Sequence, residues 1–316
     1  MPVLAHGSDG LGPFTPASVL TAAHPLSLAG LAVLAGGLIY GYGVRRLHRR
    51  GNRWPVGRSV LFGVGLALVA LGTVSGLAAY DETLLSVHMV QHMVLSMLAP
   101  IALALGAPVT LALRTLAPVP RRRLLAVLHS RAAKVLTFPV FTFVVFVASP
   151  FVLYFSGLYR ASLAHEWLHV LVHLHFVIGG CLFFWPLIGL DPLPGRLPYP
   201  LRALLMFLST PLHTVLGLTI MQSASLLGGD WYPSLALTWA DPPADQRLAG
   251  GILWAGGELV SVAMLGALVV QWMRQAEREA RRIDRALDRE EAQQAAAARL
   301  GTISAQSREA GERDRA

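Results

Sequence analysis

The sequence predicts an all-α polytopic membrane protein with seven transmembrane helices, its N-terminus outside and its C-terminus inside. Of the 316 residues, 54% are hydrophobic and only 14% are charged, against roughly 25% charge in an ordinary soluble domain. The apolar residues gather into seven stretches, each long enough for the ~20 residues that a helix needs to cross ~30 Å of hydrocarbon. The basic residues gather into alternate loops, which sets the orientation.

The stretches run from about Pro25 to Val44, Ser59 to Ala79, Leu84 to Leu113, Lys134 to Phe155, Ala164 to Gly189, Leu201 to Ser225, and Gly250 to Trp272. The third is overlong and contains Pro100 and Pro108, so it is expected to kink at Pro100 and to end near Gly106. The first loop holds Arg45, Arg46, Arg49, Arg50, Arg53 and Arg58, and the third holds Arg114, Arg121, Arg122, Arg123, Arg131 and Lys134. The second offers only Asp81 and Glu82. By the positive-inside rule, loops one and three face the cytoplasm. The sixth loop, with Asp230, Asp241 and Asp245 against Arg247 and with Trp231, Tyr232 and Trp239, suits an outer interface.

Three regions follow. Residues 1–23 read as an external arm with no basic leader region, residues 24–273 as the membrane domain, and residues 274–316 as a cytoplasmic charged helix with a disordered tail beyond about Leu300. Ala276, Ala280, Ile283 and Leu287 keep a three-four spacing among alternating charges, which continues the seventh helix. The net charge of +8 sits mainly in short loops beside the spans, where anionic membrane lipid is the partner and nucleic acid is not. Cys181 is the single cysteine, so no intrachain disulfide forms.

Of eleven histidines, His88, His92, His165, His169, His173, His175 and His213 fall within or at the edge of the spans, where ionisable groups are rare unless they have partners or work. At ~1.5 Å per residue, His88 and His92 lie ~6 and ~12 Å below the outer surface, His169 and His173 ~8 and ~14 Å, Met221 ~6 Å, Glu258 ~12 Å and His213 ~18 Å. Spacing adds a second signal. His88 and His92 share one helical face, His165, His169 and His173 form another column, and Met89, Met93 and Met97 run beside the first. Neutral imidazoles and thioethers suit copper(I), and imidazole with a carboxylate such as Glu258 suits copper(II) or zinc. The candidate metal set is therefore His88, His92, His169, His173, His213, Glu258, Met89, Met93 and Met221. Helix packing also accounts for the methionine stripe, and a satisfied polar network for the histidine columns.

Two other chemistries fit parts of the pattern. His165, Glu166 and His169 spell H-E-x-x-H, the zinc-binding and water-activating turn of metalloproteases. His92 with His173 or His213 lies at workable depths to ligate a haem iron, as in a b-type electron carrier. No activated nucleophile and no phosphate-binding loop stands out, which points away from an enzyme.

The run His88-Met89-Val90-Gln91-His92-Met93, with Leu98-Ala99-Pro100 and Gly106-Ala107-Pro108 after it, resembles the third-helix signature of CtaG-type cytochrome c oxidase assembly proteins of bacteria. The segment from His165 to Trp185-Pro186, with His169, His173 and Phe184, resembles the same family, as does Ser209-Thr210-Pro211 with His213. The resemblance covers roughly Pro25 to Trp272. It implies a multi-pass protein of the inner (plasma) membrane that is needed to make active haem-copper oxidase. The implied role is copper delivery, with an oxidase subunit and an external copper donor protein as partners.

Overall fold

The computed structural model describes residues 12–21, 27–194 and 197–313, with side chains through residue 294. Most of the expected external arm, and the start of the first stretch at Pro25, lie outside the described residues. Among the described residues the chain is helical, with no strand. Residues up to Leu265 form one compact unit, and residues from Gly266 form a second.

Among the described residues, six helical segments are long and apolar enough to cross a membrane: Leu28–Arg49, Val56–Tyr80, Leu85–Thr115, Glu166–Ile188, Tyr199–Gln222 and Pro242–Gln294. The expected fourth span is a bent pair, Pro139–Phe155 and Leu158–Ala164, which meet at 72° and make a seventh if they cross as one. The break falls at Ser156 and Gly157, where the Ser156 hydroxyl caps the second helix by accepting from Leu158 N–H at 3.2 Å.

The first half of the chain is built as follows. A single turn, α1 (Ser18–Thr21), precedes α2 (Leu28–Arg49) and α3 (Val56–Thr73). The short α4 (Gly76–Tyr80) starts at Ser75, whose hydroxyl accepts from Leu77 N–H, and ends in a turn made of Asp81, Glu82 and Thr83. Thr83 donates its hydroxyl to Tyr80 O at 2.8 Å, and the Trp231 indole donates to Glu82 O at 2.8 Å. These bonds fold the acidic turn inward, leaving Asp81 0% exposed.

The third span is α5 (Leu85–Met93), a π-helical turn at Val94–Leu98, then α6 (Ala99–Leu105). The irregularity precedes Pro100 and does not sit on it. Proline cannot donate to the carbonyl four residues back, and its ring pushes that carbonyl aside; here the carbonyl is that of Ser96, inside the π turn. Helix α12 (Glu166–Ile188) packs on this turn and on α6, with Gly180 at the contact. A Cβ at Gly180 would sit 2.1 Å from Ser96 O, so only glycine admits the helix this closely. Helix α6 ends at Gly106, and Ala107 takes a left-handed conformation (φ 48°) before α7 (Pro108–Thr115), so the apolar segment runs past the expected end at Gly106 to Thr115.

The basic third loop forms two short, exposed helices, α8 (Pro118–Leu128) and α9 (Arg131–Leu136). The bent pair is α10 (Pro139–Phe155) and α11 (Leu158–Ala164). After α12 come α13 (Tyr199–Gln222), the turn α14 (Trp231–Ser234) and α15 (Pro242–Arg313). Helix α15 continues beyond Leu300, where disorder was expected; the run Ala295 to Ala298 just before that point supplies strong helix formers.

Candidate metal centre

The acidic turn, α5 and α12 converge on one buried cluster. Asp81, His88 and His173 each offer a ligand atom, and these atoms lie within 4.8 Å of one another. Metal–nitrogen and metal–oxygen bonds of ~2 Å hold two ligand atoms at most ~4 Å apart, so a common ion requires closure by under ~1 Å. His88 is 0% exposed and His173 9%.

Each member of the cluster is fixed by a neighbour. His169, one turn before His173, donates its Nε2–H to Asp81 Oδ2 at 2.8 Å, and His173 Nε2 is 3.2 Å from the same oxygen. The two imidazoles meet edge to face at 4.4 Å. His169 Nδ1 lies 3.9 Å from Glu82 Oε1. On α5, His88 Nε2 contacts the Tyr154 hydroxyl at 3.2 Å, and His92 Nδ1 contacts that hydroxyl at 3.0 Å. Burial would by itself raise the Asp81 carboxyl, but His169 and His173 outweigh it and hold the group well below the usual carboxylate range. Asp81 is therefore an anion in the turn between two spans.

Asp81 Oδ1 and His88 Nδ1 are buried without hydrogen-bond partners, and His173 Nε2 makes only the 3.2 Å contact with Asp81 Oδ2. Leaving such groups unsatisfied costs ~1–3 kcal/mol each, and a cation accepting lone pairs from all three removes that cost. The residues present thus fit a metal ion.

The remaining members of the sequence-based set are dispersed. His92 is 1% exposed and turned from the cluster by Tyr154, with its ring 4.2 Å from Phe176. His213 points its Nδ1–H to Ser209 O at 3.3 Å and stacks near Phe146. Glu258 accepts the Thr214 hydroxyl at 2.8 Å and does not join the Asp81 group. Met89 and Met93 are buried, Met93 against Gly256, while Met221 is half-buried beside Gly250. Sequence reasoning missed Asp81 and Tyr154. An acid seven residues before His88 was read only as loop charge, and a tyrosine in an apolar span gave no periodic signal.

The two alternative chemistries lack their geometry. His165 lies outside the helix, at φ −136° and ψ 109°, exposed and donating to Ala161 O, so the H-E-x-x-H histidines do not share a helical face. The space beside His92 and His213 is a cavity of about 10 Å³, far below the ~300 Å³ or more of pockets that take cofactor-sized ligands.

A family model described as cytochrome c oxidase caa3 assembly factor matches residues 38–275, which include every residue of this cluster. The chain belongs to this family. Among curated relatives, uncharacterized proteins of Mycobacterium bovis and Mycobacterium tuberculosis are each 41% identical over 284 residues, 87% of this chain and 43% of theirs. An uncharacterized protein of Mycobacterium leprae is 39% identical over 270 residues, 83% of this chain and 41% of its own. The chain thus spans less than half the length of these relatives. No solved structure matches it significantly. The caa3 assembly-factor match agrees with the resemblance carried by the histidine motifs of α5, α12 and α13, all of which lie inside the matched range.

Proposed function

We propose that this assembly factor holds copper at the Asp81, His88 and His173 centre and passes it to a haem-copper oxidase subunit, without catalysing a reaction of its own. The observation that carries this reading is the convergence of a buried carboxylate and two imidazoles, with Asp81 Oδ1 and His88 Nδ1 lacking hydrogen-bond partners. A donor set of two imidazoles and a carboxylate suits copper(II) or zinc, and its imidazoles also accept copper(I). Membership of a family that assembles cytochrome c oxidase favours copper as the cargo. His169 acts as a positioning residue that aims the Asp81 carboxylate.

In this reading the bent pair crosses once, the protein has seven spans in the plasma membrane, and its N-terminus is outside and its C-terminus inside. The centre then lies near the outer surface, within reach of an external copper donor, and the basic loops meet anionic lipid on the cytoplasmic side. Cysteines placed singly at the exposed positions Asp241 and Arg122 test the orientation. The first should react with an impermeant external reagent and the second should not; the reverse pattern overturns it.

Metal analysis of the purified full chain tests the site. Copper(II) should bind tightly with nitrogen hyperfine coupling in its resonance spectrum, and His88→Ala with His173→Ala should weaken it about 100-fold or more. Zinc retained in preference to copper would replace the cargo. In cells, deletion should lower oxidase activity and oxidase copper together while oxidase polypeptides persist. Fully copper-loaded, active oxidase in the deletion strain under limiting copper would end the delivery role.

A further inference from the structure

We infer that His92 and His213 form a second copper site one step deeper in the bundle, and that Tyr154 sets its occupancy against that of the Asp81 centre. The inference rests on the metal reading above. Its first support is a small cavity of about 10 Å³, room for a single ion or water. His92, Ser96, His175, Phe176 and His213 border it. His92 Nε2 and Ser96 Oγ are buried there without hydrogen-bond partners. His213 commits its Nδ1–H to Ser209 O, so its Nε2 carries a lone pair. Imidazole nitrogens without a carboxylate make this a copper-type donor set, distinct from the carboxylate-bearing outer centre.

The second support is the bridge. The Tyr154 hydroxyl touches His88 Nε2 and His92 Nδ1, and a hydroxyl has one hydrogen to give. When it donates to His92 Nδ1 and accepts from His88 Nε2–H, His88 Nδ1 is bare and can bind metal. His92 Nε2 then carries hydrogen and cannot. When it donates to His88 Nε2 and accepts from His92 Nδ1–H, the roles reverse: His92 Nε2 is bare and His88 Nδ1 carries hydrogen. Each arrangement opens one site and closes the other.

Filling both sites requires both imidazoles to donate to the same phenol oxygen, which leaves the phenol hydrogen buried without an acceptor. Exchange between the arrangements conserves protons. Metal leaving His88 Nδ1 is replaced by one proton, metal reaching His92 Nε2 displaces one, and the two bridging protons each shift by one bond. Sequence spacing placed His88 and His92 on one face as partners for a single ion. The bridging tyrosine makes them members of two alternating sites.

Anaerobic titration of the full-length protein with copper(I) against a chromogenic chelator tests this. Wild type should bind two coppers, the second weaker by about tenfold or more. Tyr154→Phe, which keeps the ring, should retain both and tighten the second binding step by about tenfold, narrowing the gap between the two affinities. His213→Ala should leave one copper. Nitrogen chemical shifts of histidine-labelled protein give an independent readout. With no metal bound, His88 and His92 should always share the same tautomer, because the phenol meets Nε2 of one and Nδ1 of the other; opposite tautomers overturn the bridge. One copper per chain, unchanged by His213→Ala and lost with His88→Ala, removes the second site and leaves the first intact. An affinity gap unchanged by Tyr154→Phe removes the coupling. A protein that binds no copper at all overturns the underlying metal reading and this inference together.

Discussion

Two buried aspartates near opposite ends of α12 show how differently one residue type is used. Asp191, 1% exposed, follows the C-terminus of α12 and takes four hydrogen bonds: Val109 N–H at 3.3 Å, Thr110 N–H at 2.7 Å, the Thr110 hydroxyl at 2.5 Å and the Trp185 indole at 2.9 Å. Its charge caps α7, whose first amides have no helical partners, and both its oxygens are used. Asp81, 0% exposed, faces the N-terminal half of α12. One of its oxygens is shared by two histidines and the other has no partner. A saturated carboxylate holds structure, whereas a half-used one beside imidazoles is built to accept something more.

Substitution should separate the two. Asp191→Ala strands several buried donors and removes a helix cap, so it should cost ~3–5 kcal/mol of stability. That loss would be read as an earlier midpoint in detergent unfolding or as lost membrane abundance, with copper affinity per folded chain unchanged. Asp81→Asn keeps the shape and should lower copper affinity about 100-fold, with a smaller loss of stability than Asp191→Ala because the amide oxygen can still accept from His169. If Asp81→Asn unfolds the protein and binding is spared, the contrast fails.

Acid refines it further. A carboxyl held below its ordinary value contributes fully above ~3.9 and is lost only as pH falls through its lower folded value. Copper release on acidification should therefore follow protonation of the imidazoles, because they must shed metal to take protons while Asp81 is still charged. A release midpoint that tracks the carboxyl instead would assign the metal mainly to Asp81. The smallest effects belong to residues placed by depth alone: Glu258→Gln and Met221→Leu should change copper affinity by less than about threefold.

Spacing along each helix was legible in the sequence, and direction around the helix axis was only partly so. The four-residue interval joined His169 to His173 correctly, because both sit before any irregularity in α12. Depth grouped Glu258 and Met221 with the histidines, yet depth carries no information about which face a distant helix turns inward. Glu258 is instead engaged by Thr214. The kink was visible as Pro100, but its form as a π turn depends on how the freed Ser96 carbonyl meets Gly180, a tertiary contact. Asp81 was hidden by its position in a short loop: composition marks such a residue as exposed, and only the Ser75, Thr83 and Trp231 bonds turn it inward.

Gly180 also governs the alignment of the ligands. It lies seven residues after His173, two helical turns and ~10.5 Å along the same face. The stop that sets how close α12 comes to the third span is thus on the face that carries the histidine. Metal ligands tolerate misplacement of only ~0.5 Å, while a methyl group at Gly180 would enter a gap already closed by Ser96 O and Pro100. The site's precision is therefore stored away from the site, in a missing side chain, and a mutation that adds a net one carbon and two hydrogens there would detune the cluster without touching Asp81, His88 or His173.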